Sequence, residues 1–420
     1  MSYLFTSESV GAGHPDKVCD IVSDALVDEF IARDPNSRCA IECMFGNGVM
    51  NVMGEVSSTA YVDVQEVVRR TIKEIGYNSA QMQCDGETIG VLVALDEQSP
   101  DIAMGVDSTD PLNTGAGDQG LMFGYATNET ENYMPVDIDI AHRIVEELAI
   151  VRSTTNLMPY LGPDCKSQVT VEVDEVTQRV ISINTIVVST QHTEFSDDAT
   201  MLAKIREDVQ KIIIPRVAER YKNTSIYNLF WNEDGHIKYL INPTGRFVIA
   251  ASRGDIGLTG RKIVVDNYGG HSALGGGCYS SKDATKVDRS AAYFARYVAK
   301  NCVAAGIADK MQIQVAYAIG VAEPVSIYID TYGTAYCGLT DKQIADKLST
   351  LFDFRPGAII RDLKLREPIF KETASYGHYG RTPRTVTKCF GGKYEEQFSK
   401  TVELFTWEKL DKVDYIKENF

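Results

Sequence analysis

The order helix, strand, strand, helix recurs three times along this chain, and that repetition limits the fold more than any other feature. In the first unit, "HPDKVCDIVSDALVDEFIARDPN" puts Pro15 at a helix start and spaces Val18, Ile21, Val22, Ala25 and Phe30 helically. The Asp34-Pro35-Asn36 turn stops it. "CAIECMF" and "GVMNVMGEV" follow as strands joined through the turn pair Asn47-Gly48. "VDVQEVVRRTIKEIG" then reads as an amphipathic helix closed by Gly76, and "TIGVLVAL" as a buried strand. The second unit has a helix over residues 137–151, paired strands in "SQVTVEV" and "RVISINTIVVST", and a helix in "DDATMLAKIREDVQKIII". The third runs through "VDRSAAYFARYVAKNCVAAG", "QIQVAYAI", "VSIYIDT" and "TDKQIADKLSTLF". Each unit has a sheet with one face to cover and helices to cover it. The expectation is an α+β protein of three related domains, not a Rossmann fold or a barrel.

Between units one and two lies "EQSPDIAMGVDSTDPLNTGAGDQG", rich in Gly, Asp, Ser and Pro with few apolar anchors. A connection of this length is expected to be a functional loop, here an active-site lid.

The formal charge of −16 excludes nucleic acid as the main partner, because phosphate backbones recruit basic surfaces. No apolar stretch reaches the ~18 residues of a membrane span. Nine cysteines without C-x-x-C spacing read as free thiols in a reducing compartment, which points to the cytoplasm.

An acidic chain that binds a polyanion must gather its cations locally, and several loops do so. "GAGHPDK" sets Gly11 and Gly13 before a helix start, where free N–H groups suit an anion, and adds His14, Asp16 and Lys17. "GAGDQGLMFGYAT" offers Asp118, and "DCKSQV" offers Asp164 and Lys166. "NPTGRFVIAASRGDIGLTGRK" supplies Arg246, Phe247, Asp255, Arg261 and Lys262 amid glycines. "GGGCYSSKDATKVDRS" crowds Lys282, Lys286, Asp283, Asp288 and Arg289 beside three glycines. A solvated turn explains any one of these alone, and Phe247 is equally a core residue or a flat surface for a purine. Together, cations and N–H groups suit phosphate oxygens, while carboxylates suit Mg²⁺. The patterns G-x-x-x-x-G-K-[ST], G-x-S-x-G and H-E-x-x-H are absent. The residues alone lead to an Mg²⁺-dependent enzyme acting on a polyphosphate nucleotide through an unfamiliar cradle.

In this order the motifs "LFTSESVGAGHPDKVCD", "QSPDI", "GAGDQGLMFGYATNET", "PDCKSQVTVE", "STQHTEFS", "INPTGRFVI", "GDIGLTGRKIVVD", "KDATKVDRSAAY", "YAIGVAEPVSI" and "YGHYGR" resemble the S-adenosylmethionine synthetase (methionine adenosyltransferase) family over nearly the whole chain. The resemblance implies the family's three α+β domains with pseudo-threefold repetition, here expected at residues 1–103, 115–246 and 247–391 with a tail at 392–420. It implies a transferase in which methionine sulfur attacks C5′ of ATP and displaces triphosphate, which is then hydrolysed to diphosphate and phosphate.

Position by position, the resemblance implies that His14 donates to the ribose-side oxygen of the leaving group. Asp16 and Asp288 would hold Mg²⁺, with two ions per site. Lys166, Arg261, Lys262 and Lys282 would line the triphosphate, with Lys286 beside both phosphates and methionine. Asp164, the backbone at Arg246 and Cys278, and the Phe247 ring would hold adenosine. Glu55, Gln98 and Asp255 would hold methionine, with Asp255 also near the ribose of ATP. Asp118 matches an active-site acid, Glu42 the ligand of a potassium ion, and residues 98–110 a gating loop. Family sites form between subunits, so the resemblance also implies a homo-oligomer, usually a dimer of dimers.

Departures from the family pattern fall at Ala12 (commonly Glu), at residues 250–252 ("AAS" for "GGP") and at Leu274, Cys278, Tyr279, Ser281 and Ala284 in the lysine loop. "ECMFGNG" replaces the usual Glu-Thr strand start at Glu42. If residue 281 requires positive φ, a serine there costs on the order of 1 kcal/mol. Two rival readings use the same residues: a non-catalytic regulatory paralogue, and a nucleotide hydrolase that no longer uses methionine.

Overall fold

The computed structural model describes residues 1–82, 84–98, 111–231, 237–392 and 396–420. Its longer helices are α1 (Pro15–Arg33), α2 (Val64–Ile75), α3 (Val136–Thr154), α4 (Asp198–Asp208), α5 (Val287–Ala304) and α6 (Asp341–Leu351). The sheet strands begin with β1 (Ser2–Val10), β2 (Arg38–Gly46), β3 (Val49–Ser57), β4 (Gly90–Asp96) and β5 (Gly120–Thr127). They continue with β6 (Leu161–Asp174), β7 (Val180–His192), β8 (Lys238–Ile241), β9 (Gly257–Leu258), β10 (Lys310–Tyr317) and β11 (Ser326–Asp330). The three helix–strand–strand–helix units read from the sequence are all present.

The three larger sheets run β1-β6-β7-β8, β9-β2-β3-β4 and β11-β10-β5. Each borrows a strand from another third of the sequence, so the units are sewn together rather than strung out. One long helix covers each sheet: α3 packs on β1 and β6, α1 on β2, and α5 on β5 and β10. One apolar core joins the layers under α1 and α5, and a second lies between α3 and the β6–β7 pair.

Local chemistry explains the boundaries. Asn47 and Gly48 take φ of 50° and 78°, which suits the tight turn between β2 and β3. Gly76 closes α2 in the left-handed conformation at φ 117°. The fourth helix of the sequence reading is shorter and less regular than expected: α4 gives way to a π turn at Val209–Ile213 before Ile214–Glu219 resumes the α form.

One expectation needs correction. "TIGVLVAL" forms β4, but it is an edge strand that pairs with β3 alone, and Leu92 and Val93 are 62% and 43% exposed. Met44, Met53 and Leu258 are exposed on the same sheet, whose outer face no described residue covers.

Helix α1 is unlike an ordinary amphipathic helix, because every residue from Pro15 to Ala32 is buried. Asp16, Asp20, Asp24 and Asp28 recur every four residues and share one stripe. A buried like-charge stripe survives only where each rung finds a cation or N–H group, and here each does.

Candidate active site

The site is organised by the free edge of β2. Beside residues 39–41 of β2, Ile41 N–H donates to Ser281 O at 3.0 Å, and Lys282 bridges Ala40. Farther along the same edge, β9 takes over, with Leu258 opposite Met44 and Thr259 N–H donating to Cys43 O at 3.1 Å. The two cation-bearing loops are therefore sewn end to end along one strand. Four residues of strand put their bridging points about 13 Å apart. Gly260, at the turn of one loop, lies directly against the Cys278 side chain of the other.

The first loop meets the start of α1. His14 caps that helix, its Nδ1 accepting the Asp16 N–H at 3.2 Å. Gly13 is required here, because a Cβ would come within 2.3 Å of the Pro163 backbone. Asp16 accepts Leu258 N–H at 3.0 Å and the Lys262 ammonium at 2.5 Å, with the Arg261 guanidinium at 3.5 Å. Burial opposes the Asp16 charge, but Lys262 and the Leu258 N–H outweigh it and hold the carboxyl below its usual range. Burial, then the charges of Lys262 and Lys166, pull His14 down to about 3. At neutral pH His14 is an uncharged imidazole whose Nδ1 is already an acceptor, so its proton resides on Nε2.

Lys166 lies opposite Val10 on β6, beside the glycine loop. Asp164, two residues earlier, is 4% exposed. Burial pushes its carboxyl up to about 7 against the pull of Lys166. Its Oδ1 has no partner among the described residues. Phe247 is fixed at the end of β7 by His192, whose N–H donates to Phe247 O at 3.0 Å and whose Nε2 accepts Phe247 N–H at 3.1 Å. Arg246 turns outward to Glu194 and Asp198, and Asp255 is exposed with its field acting on His14 and Asp164.

The second loop neutralises its own cations. Lys282 pairs with Asp288 at 2.7 Å, and Lys286, the cap of α5, pairs with Asp283 at 2.5 Å. Lys282 precedes the helix, so the two lysines do not share a helical face. Gly277 packs on Asp288 so closely that a Cβ would come within 2.1 Å of its carboxyl carbon. Ser281 takes φ 86°, the positive value that a glycine accepts without strain, and its hydroxyl donates to Glu42 at 3.2 Å. Burial raises Glu42 above the ordinary carboxylate range, with Ser281 and Lys282 pulling the other way. Ala251, among the substituted residues 250–252, also takes a positive φ, 52°. Cys278 is an inert thiol, pushed up to about 11 by burial.

Glu55 lies opposite Ala40 on β3, one strand from Lys282, and Gln98 N–H donates to Ser57 Oγ at 3.1 Å near the end of the same strand. Residues 99–110 of the expected gating loop lie outside the described residues. Gly117 packs on Thr285, which brings Asp118 alongside the second loop, where it is exposed. Thus His14, Asp16, Asp164, Lys166, Asp255, Arg261 and Lys262 form one group. Lys282, Lys286, Asp288, Cys278, Glu42, Glu55 and Asp118 form a second, beside it on β2.

No group of three or more His, Cys, Asp or Glu side chains among the described residues is arranged as a metal cage. Asp16 and Asp288 are lone carboxylates flanked by cations, a donor set that fits Mg²⁺ sharing its coordination with phosphate oxygens. Glu42 with the Ser281 hydroxyl presents oxygens of the kind a monovalent cation takes.

Sequence reasoning missed His192 and the lower rungs of the aspartate stripe. Asp20 accepts Gly260 N–H at 2.9 Å; Asp24 accepts Ser281 N–H at 3.1 Å and a paired Arg289. The four-residue recurrence of aspartate was the available signal.

Comparison with known proteins shows the family. Models of the S-adenosylmethionine synthetase N-terminal, central and C-terminal domains match residues 2–100, 113–247 and 249–388. The chain is 54% identical over 432 aligned positions to the S-adenosylmethionine synthase of Phocaeicola vulgatus, covering all of both chains. It is 53% identical to the proteins of the same name from Bacteroides thetaiotaomicron and Flavobacterium johnsoniae, again over all of each.

Proposed function

The chain belongs to the S-adenosylmethionine synthetase family, and from that premise we propose that it transfers the adenosyl group of ATP to the sulfur of L-methionine. Triphosphate is displaced and then hydrolysed to diphosphate and phosphate before the sulfonium product leaves. The observation that carries this reading is the arrangement of two cation-bearing loops along one edge of β2, with His14 at the end of the row.

The chemistry asks little of a base, because a thioether has no proton to lose when it attacks carbon. The barrier lies in the charge that gathers on the departing triphosphate, and fixed cations stabilise it. Lys166, Arg261, Lys262 and Lys282 supply those cations, with Lys286 reaching methionine as well. Neutral His14 offers its Nε2–H to the ribose-side oxygen as it leaves C5′. Asp164 and Phe247 orient adenosine, with the backbone at Arg246 and Cys278. Glu55, Gln98 and Asp255 orient methionine, and Asp118 lies at the rim. Asp16 and Asp288 would hold Mg²⁺, which when bound offsets phosphate charge; Glu42 would hold potassium.

The outer face of the β2–β3–β4 sheet, with Met44, Met53, Leu92 and Leu258 exposed, supports a homo-oligomer in which a second copy covers this face. The reading assigns one loop from each copy to each site, so that the two loops lying side by side in one chain serve neighbouring sites. The cysteine pattern supports a cytoplasmic setting, and no helix among the described residues is long and apolar enough to cross a membrane.

The test is incubation with ATP, Mg²⁺ and K⁺, with and without methionine, read by mass spectrometry for S-adenosylmethionine. Sulfonium formation that requires methionine supports the reading. Phosphate release independent of methionine points to a hydrolase, and silence in both arms to a regulatory protein.

A further inference from the structure

Arg261 and Lys262 must hold still to act on phosphate; Arg261, 52% exposed, donates to Ile256 O at 3.0 Å and lies 3.5 Å from Asp16, which Lys262 also meets. Those contacts hold the side chains, and a separate set fixes the backbone that carries them. Its two ends are tied to the same buried point on α1. At the front, Gly260 N–H donates to Asp20 Oδ1 at 2.9 Å. At the back, Asp266 closes the single helical turn Ile263–Asp266 and pairs with the Lys17 ammonium. Lys17 pairs in turn with the second oxygen of Asp20 at 2.9 Å. All three side chains are nearly or wholly excluded from solvent. Asp266 O also accepts His378 N–H at 3.2 Å, which anchors the turn from behind.

We propose that Asp20, with Lys17 and Asp266, is a positioning residue that brackets residues 260–266 and thereby aims Arg261 and Lys262 at the triphosphate. None of the three touches the ligand; they act through the backbone of the segment. An aiming error of about 1 Å costs on the order of 100-fold in rate, so a clamp of this kind governs turnover without forming part of the pocket. The inference rests on the adenosyl-transfer reading above.

The experiment compares Asp20→Asn, Asp20→Ala and Asp266→Asn with the wild type in the full-length protein. Steady-state kinetics are measured with ATP and methionine, and inorganic tripolyphosphate binding is measured by calorimetry with Mg²⁺. Glu147→Gln serves as a reference, since it weakens a different buried ion-pair group, with Arg216 and Arg220, that shares no residue with the clamp. The expected result is a fall in kcat per folded molecule of at least 10-fold and weaker tripolyphosphate binding, with KM for methionine within twofold. Asp20→Asn, which keeps an oxygen facing Gly260, is milder than Asp20→Ala, and Glu147→Gln loses melting temperature without losing kcat. If the three variants lose activity only in proportion to their unfolded fraction, or keep wild-type kcat and tripolyphosphate affinity, the clamp has no positioning role. A wild type without methionine-dependent activity would instead overturn the functional reading itself.

Discussion

The two cation loops solve the same problem in opposite ways. Residues 257–262 carry Arg261 and Lys262 but no carboxylate that pairs with them; the counter-charge is Asp16, some 240 residues away on α1. Residues 275–288 bring their own, Asp288 for Lys282 and Asp283 for Lys286. The first loop therefore depends on α1 for both charge balance and placement. The second is balanced internally and depends on α1 for a backbone anchor, Asp24, and on a strained residue, Ser281. Long-range pairing yields a loop that fails when the helix is altered. Local pairing yields one that fails when its own turn is altered.

The largest effect should come from removing one cation of either loop. Lys262→Met and Lys282→Met are each expected to lower kcat by about 10²- to 10³-fold, the range for loss of one fixed group facing developing charge. Equal losses at the two positions would show that both loops face the same charge. A loss confined to one would separate them.

A smaller effect is expected at Asp164, and it depends on pH. Its folded value of about 7 lies above that of an unfolded carboxylate. The folded state thus holds the extra proton between about pH 4 and 7, and the stability this contributes is lost as pH rises through 7. In the proposed role the ionised form accepts hydrogen bonds from adenosine, so kcat/KM for ATP should rise with pH through the same region. Asp164→Asn should flatten both profiles, as measured by thermal melting and initial rates from pH 5.5 to 8.5.

The smallest effect tests the strain in the second loop. Ser281→Ala keeps the positive φ but loses the hydroxyl to Glu42, at a cost of about 1 kcal/mol. Ser281→Gly loses the same bond but relieves strain of about 1 kcal/mol, so it should unfold in urea within about 0.5 kcal/mol of wild type. A glycine variant as unstable as the alanine one would show that the turn carries no strain.

Much of this was legible beforehand because loop chemistry is written locally. Glycine beside Lys, Arg or Asp, recurring in several loops, singled these turns out together, and period-two and period-3.6 patterns separated strands from helices. A serine in place of glycine at 281 predicted the positive-φ question, and φ 86° answers it. Pairing was not legible, because nothing near Lys262 names Asp16 and nothing near Gly260 names Asp20. The misreading of β4 has a related cause. "GVLVAL" is apolar enough for a strand covered on both faces, but no described residue of the chain covers its outer face. The Asp16, Asp20, Asp24, Asp28 stripe was visible all along; four buried like charges require cations, and Lys262, Lys17, Arg289 and Lys388 supply them.

The central claim is that one loop from each of two copies closes on a single triphosphate. It is tested most directly by mixing inactive Lys262→Met and Lys282→Met proteins through co-expression. In a symmetric dimer the mixed pair then carries one doubly altered site and one intact site, so activity should recover to about a quarter of wild type. Mixed dimers that form but show no recovery would place both loops in the same site of one chain and contradict the account.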